Sequence, residues 1–146
     1  MKKLLIVLGV IFTMHSQVNA ETIISCGSNN GYSYFFSGGI IPKSEEGWVK
    51  ADNFKAQVSL VRYKNNNKLD IIYKDATNKI YSSRANGAEV IMLSNISPFI
   101  SVFVNYKNQT TEIYTFDVVK KNYSYSQHKY GKFPIKIVAT YVGKCY

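Results

Sequence analysis

Histidine and cysteine are scarce in this 146-residue chain, with two of each, and one of the histidines, His15, falls in a leader-like segment. His128 is then the one histidine left to the folded domain. A zinc site draws mainly on cysteine and histidine, four of them in a typical structural site; Cys26, Cys145 and His128 are fewer than such a site wants, so no metal is expected, and no cofactor either. Catalytic signatures are missing too. The chain has no Gly-x-Ser-x-Gly elbow, no phosphate-cradling glycine loop, no His-Glu-x-x-His pair and no dinucleotide fingerprint. Glu45 and Glu46 are adjacent, so in extended backbone they point to opposite faces and make a poor acid/base pair. Long apolar runs are absent: Leu4–Phe12 is shorter than the roughly 20 residues a membrane-spanning helix requires, and no later stretch matches it. Acid is missing from the whole C-terminal segment after Asp117.

What is present first is an address. Lys2 and Lys3 precede the apolar stretch Leu4–Phe12, polar residues follow, and Val18-Asn19-Ala20 has the small-x-small spacing of a signal-peptidase site. Residues 1–20 are therefore read as a signal peptide and 21–146 as one exported β domain, periplasmic or extracellular. Ile23-Ile24-Ser25-Cys26 superficially resembles an acylation box, but Glu21 and polar residues separate it from the apolar run, which argues against lipidation. Removing the leader takes away Lys2 and Lys3 and no acid, so the formal charge falls from +9 to +7. A basic exported domain attracts anionic partners over about 8–10 Å in ordinary salt: an anionic envelope polymer or an acidic protein.

Two cysteines in an oxidising compartment are expected to pair. Closing 119 positions between Cys26 and Cys145 contributes about 4–5 kcal/mol in the chain-entropy model. The pairing also requires the first and last strands to lie side by side.

The hydrophobic period along the domain is two. Val58 and Leu60 alternate with Gln57 and Ser59; Leu69, Ile71 and Tyr73 alternate with Asp70 and Lys74. Further strands are predicted at 32–36, 79–83, 88–93, 99–106, 112–118, 123–127 and 135–142. Asn29-Asn30-Gly31, Asn65–Asn67, Asp75–Asn78, Asn86-Gly87, Asn95–Pro98, Asn105–Gln109 and Lys120–Asn122 are predicted turns, asparagine and glycine tolerating the left-handed backbone a tight turn demands. Gly38-Gly39 reads the same way. Ser44–Asn53 is the one long irregular stretch, with room for a helical turn, and Trp48 within it is expected to plug an open end of the sheet. The fold class that follows is all-β: a single antiparallel sandwich or closed barrel of about eight to ten strands, its ends joined by a disulfide.

The succession Gly38-Gly39, Pro42, Gly47-Trp48, Asp70-Ile71-Ile72-Tyr73, Asp75-Ala76-Thr77, Gly87-Ala88, Glu112-Ile113-Tyr114-Thr115-Phe116, Ser126-Gln127 and Gly143-Lys144-Cys145 resembles a group of small exported proteobacterial proteins of unassigned function. The resemblance spans most of the domain, and it implies an exported β fold without implying an activity. This chain departs from that pattern at Asn78, where the group carries glycine; both residues suit a turn.

Six lysines and no acid fall between Val118 and Tyr146, with Tyr123, Tyr125, Tyr130, Tyr141 and Tyr146 among them. Ammonium groups beside aromatic faces can hold an anionic polymer. Lys120, Lys121, Lys129, Lys132 and Tyr130 are the candidate binding residues, while Tyr123, Tyr125 and Tyr141, at strand spacing, are expected to be core rings with wet hydroxyls. The function these residues point to is non-catalytic docking on an anionic envelope or protein partner. Two alternatives stand beside it: a structural or stress-related envelope protein, and a small basic ribonuclease-like hydrolase using Glu112, His128, Arg84 and Lys129. The last requires Glu112 and His128 to face one another across a phosphodiester.

Overall fold

The computed structural model describes residues 19–54, 57–75, 77–131 and 133–146. The expected leader, residues 1–20, therefore lies outside the described residues except for Asn19 and Ala20, and Lys132 lies outside them as well. Among the described residues every regular element is a strand apart from a 3-10 turn at Lys43–Glu45. The strands are β1 (Ala20–Phe36), β2 (Gly47–Phe54), β3 (Gln57–Tyr63), β4 (Leu69–Lys74), β5 (Ile80–Ser82), β6 (Glu89–Ile96), β7 (Phe99–Tyr106), β8 (Thr110–Asp117), β9 (Asn122–Lys129) and β10 (Lys136–Cys145). Among the described residues no helix is long and apolar enough to cross a membrane.

All ten strands belong to one antiparallel sheet in the order β5-β4-β3-β1-β10-β9-β8-β7-β6, with β2 paired to β1 off this path. The 17-residue β1 holds it together. One of its edges pairs with β10 from Cys26 to Phe36, and the other pairs with β3 up to Cys26 and with β2 from Asn29 onward. Cys26 stands directly opposite Cys145, and the expected disulfide joins them. Asn29-Asn30-Gly31, expected as a turn, is instead a bulge inside β1, where the register slips against both β10 and β2. A bulge uses the same turn-prone residues without reversing the chain. Gly31 is required there: a Cβ would lie 2.0 Å from the Thr140 carbonyl oxygen.

The sheet curls so that its flanks face one another. Ile24, Leu60 and Ile71 from one flank and Val102, Val104 and Phe116 from the other form a single buried cluster. This is a curled half-barrel, not the sandwich or closed barrel expected, and no strand ladder joins the outer strands β5 and β6 among the described residues. The cause is local. β5 ends after three residues, and Ser83–Gly87 turns back before another strand can be laid down. Arg84 bridges the gap: its Nε donates to the Leu69 carbonyl on β4 at 2.6 Å and its Nη2 to the Val90 carbonyl on β6 at 2.6 Å. Beside it the fully buried Asp70 carboxylate accepts from Tyr63 Oη (2.8 Å), Ser82 Oγ (2.5 Å) and the backbone N–H groups of Ile71 and Arg84 (2.8 and 3.1 Å). Four donors fill the lone-pair positions of a carboxylate. Burial of this charge is thereby tolerated.

The asparagine turns form as expected, with Asn67, Asn78 and Asn108 at φ 57°, 65° and 60°. The predicted Asn95–Pro98 loop shrinks to Ser97-Pro98, because Asn95 and Ile96 continue β6 opposite Ile100 and Phe99. The stretch 44–53 also differs from expectation: after the 3-10 turn it becomes β2, captured by the exposed edge that β1 presents beyond its bulge.

Two stability outcomes follow. Replacing both cysteines by serine is expected to lower the unfolding free energy by about 4–5 kcal/mol. Arg84→Ala, which strands two buried carbonyls, is expected to cost about 2–4 kcal/mol. Urea titration followed by circular dichroism measures both, and an Arg84→Ala midpoint equal to that of the parent would show that the guanidinium does not clasp the flanks.

Candidate binding faces of the sheet

Strand alternation sorts side chains onto two faces. Across β8 and β9 the inward pairs are Thr110–Lys129, Glu112–Gln127, Tyr114–Tyr125 and Phe116–Tyr123. Their rings stack, with centroids 4.7 Å apart for Tyr114 and Tyr125 and 5.9 Å for both Phe116–Tyr123 and Tyr125–Tyr141. Glu112, only 8% exposed, accepts from Tyr114 Oη (2.9 Å), Tyr125 Oη (3.2 Å) and Gln127 Nε2 (3.0 Å). Burial pushes its carboxyl above the ordinary 4.5, opposed by these three donors and by the charge of Lys129. Burial likewise raises the Tyr114 and Tyr125 hydroxyls well above 10, and that of Tyr123 to about 12. The tyrosine rings are buried or half-buried as expected, but their hydroxyls are held by protein: Tyr125 by Glu112, Tyr123 by Asn29 Oδ1, and Tyr141 by Ser33 Oγ at 2.5 Å.

The outer face of β2, β1, β10 and β9 is arranged in rows fixed by the register. Trp48, Tyr34, Val138 and His128 form one row; Lys50, Tyr32, Thr140 and Ser126 form the next; Val142 and Ser124 follow, then Lys144 and Asn122. Trp48 is 68% and Tyr32 53% exposed. The Tyr34 ring meets Phe36 and Trp48 edge-on at 4.9 and 5.4 Å, which holds the indole in place. Two adjoining hollows of about 670 and 560 Å³ share Asn30 and Val142 and together make a groove along this face. Trp48, Tyr32 and Lys50 line one end, and Lys120, Lys144 and Ser124 line the other. No carboxylate occupies an outward position of β10, or of β9, between them. Asp117, at the far end, is turned to its own turn, accepting from the N–H groups of Val119 and Lys120 at 3.1 and 2.8 Å. Glu46, beside Tyr34, is paired with Lys43 and accepts from Ser37 Oγ at 2.7 Å; the Lys43 bond leads in holding its carboxyl down at about 2.

The expected binding residues divide between these places. Lys120 and Lys121 occupy the turn from β8 to β9, next to the disulfide, where the Cys145 N–H donates to the Lys121 carbonyl at 2.8 Å. Lys129 and Tyr130 lie at the opposite end of β9, about 25 Å away at strand rise. Lys129 is on the inner face, its Nζ 4.3 Å from the centre of the Phe133 ring. Of the expected lysines, Lys120 and Lys121 therefore do not share a surface with Lys129; Lys120 lines the outer groove and Lys129 the inner hollow. Trp48, expected as a plug, stands on the open face of β2 because β2 is a strand and the register sets Trp48 opposite Tyr34 in the outward row. Tyr32, Lys50 and Lys144 were not among the candidates. The spacings Tyr32-x-Tyr34-x-Phe36, Trp48-x-Lys50 and Thr140-x-Val142-x-Lys144 carry the signal, but it becomes readable only once the register across strands is known.

Glu112 and His128 are on opposite faces of the sheet, since Glu112 pairs with Gln127 while His128 pairs with the outward Thr111. Arg84 is committed to the β4–β6 clasp. The residues of the ribonuclease-like alternative are thus not gathered at one point. No protein-family model, curated protein or solved structure matches the chain.

Because its folded-state pKa is raised, Glu112 stabilises the fold below its unfolded value and loses that contribution as pH climbs toward the folded value. Stability of the parent relative to Glu112→Gln is therefore expected to fall from about pH 4 toward neutrality. Urea midpoints of the two proteins across this range test the sign; a parent that gains on the variant with rising pH would contradict it.

Proposed function

We propose that this domain is a non-catalytic, exported binding protein that holds an acidic polysaccharide along the outer groove. The observation that carries the proposal is the exposed pair Trp48 and Tyr32 set in line with Lys50, Lys144 and Lys120. Flat aromatic faces pack against the apolar faces of sugar rings, and ammonium groups meet carboxylate or phosphate; exposed apolar surface that is grouped and rimmed by polar residues, as here, marks an interaction site. The disulfide and the leader-like N-terminus support a site of action outside the cytoplasm.

Retention of the folded domain on an immobilised polyuronate should be strong at low salt and weak at high salt. Trp48→Ala is expected to weaken it about tenfold, equivalent to ~1.4 kcal/mol. A triple Lys50→Ser, Lys120→Ser, Lys144→Ser variant should abolish most of the salt-dependent part. All four positions are exposed, so the core is left alone. Undiminished retention of both variants would dismiss the groove. Retention on an acidic protein but not on the polysaccharide would reassign the partner, and no retention on either would leave the envelope-structural alternative.

A further inference from the structure

The inner face encloses a hollow of about 590 Å³ whose floor is the Glu112 network. We propose that this hollow is a second binding site, on the opposite side of the sheet from the outer groove and independent of it, for a neutral polyhydroxylated ligand of mono- or disaccharide size. The volume falls within the range of small-molecule sites.

The chemistry of the lining selects the ligand. On the floor, the Tyr114 and Tyr125 hydroxyl protons are both directed at Glu112, and the Tyr123 proton at Asn29. With their protons committed, these oxygens offer lone pairs to anything that enters. Around them stand five carboxamides, Asn29, Gln57, Asn86, Gln109 and Gln127. A carboxamide both donates and accepts, and so does a sugar hydroxyl, so a polyol can satisfy this lining without leaving a buried group unpaired.

Charge excludes the other classes. The hollow is lined by two carboxylates, Glu112 and Asp75, and by two ammonium groups, Lys74 and Lys129. With two groups of each sign around the hollow, neither an organic cation nor an anion finds net charge complementarity in it. A neutral ligand needs none. Among the described residues no cation reaches salt-bridge distance of Glu112, and Lys129 rests on the Phe133 ring. The upward push of burial on the Glu112 carboxyl accords with a floor that avoids charge. The site is also already assembled: among the described residues, no buried side-chain nitrogen or oxygen lacks a partner, and the stacked rings fix the hydroxyls in place. Little ordering is left for the ligand to impose, which favours binding.

The test uses the whole folded domain and a panel of neutral probes: glucose, N-acetylglucosamine, maltose and cellobiose, with cadaverine and glucuronate as charged controls. At millimolar concentration at least one neutral probe is expected to shift the amide signals of Tyr114, Tyr125 and Gln127 in heteronuclear NMR spectra, and to do so with higher affinity than either control. A Gln57→Ala, Gln109→Ala double variant, altered at exposed positions of the mouth, is expected to weaken that binding tenfold or more without moving the urea midpoint. Glu112→Gln should weaken it as well, and the mouth variant keeps the test open if Glu112→Gln folds poorly. Shifts confined to Trp48 and Tyr32 would place saccharide on the outer groove and overturn the inner site. So would a panel with no shift, stronger binding of a charged control, or a mouth variant that binds as the parent does.

Discussion

Everything in this molecule is referred to the pairing of β1 with β10. That ladder joins residues a hundred or more positions apart in the chain, and the Cys26–Cys145 bond locks it at one end. Forming it costs chain entropy that the covalent link removes from the unfolded state. With β10 held against one edge of β1, the bulge at Gly27–Gly31 turns the second half of the strand so that its free edge collects β2 while the first half keeps β3. A strand with different neighbours on its two halves cannot lie in a flat sheet. The curl, the inner hollow and the exposed outer face are all consequences.

Two buried carboxylates show how differently one fold can accommodate charge. Asp70 receives two backbone N–H groups and two hydroxyls, in a corner that also contains the Arg84 clasp, and its role is to fasten the flanks of the sheet where a strand ladder is missing. Glu112 receives two phenols and one amide at the floor of the hollow, with no cation in contact among the described residues. Asp70 is a fastening with every lone pair in use. Glu112 keeps a position unfilled among groups that face open space, and the inner face owes its chemistry to that difference.

The two faces also separate the basic charge of the chain by place. Lys120 and Lys144 sit near the disulfide end of the outer groove, while Lys129 is drawn inward over Phe133. A run of lysines that looks like one patch in sequence is thus shared between an outer groove and an inner rim. Aromatic residues divide in the same way: the stacked Tyr114, Tyr125 and Tyr141 rings face inward, and Tyr32 and Trp48 face outward.

Period-two alternation and asparagine-rich turns made the strands legible with few errors, because each depends on contacts between residues close in the chain. The disulfide was legible too, since two cysteines allow one pairing. The errors lie where local signals have two outcomes. Asn29-Asn30-Gly31 can reverse a chain or bulge it, and the choice went to the bulge because β10 and β2 were there to pair with the continuing strand. Trp48 can plug or stand free, and β2 set it free by becoming a strand on an edge that no local pattern reveals. Composition, period and cysteine count settled class, strand count and the covalent tie. Cross-strand register, which depends on partners far away in sequence, decided which lysines and tyrosines share a face, separated Glu112 from His128, and left an open half-barrel where a closed one was expected.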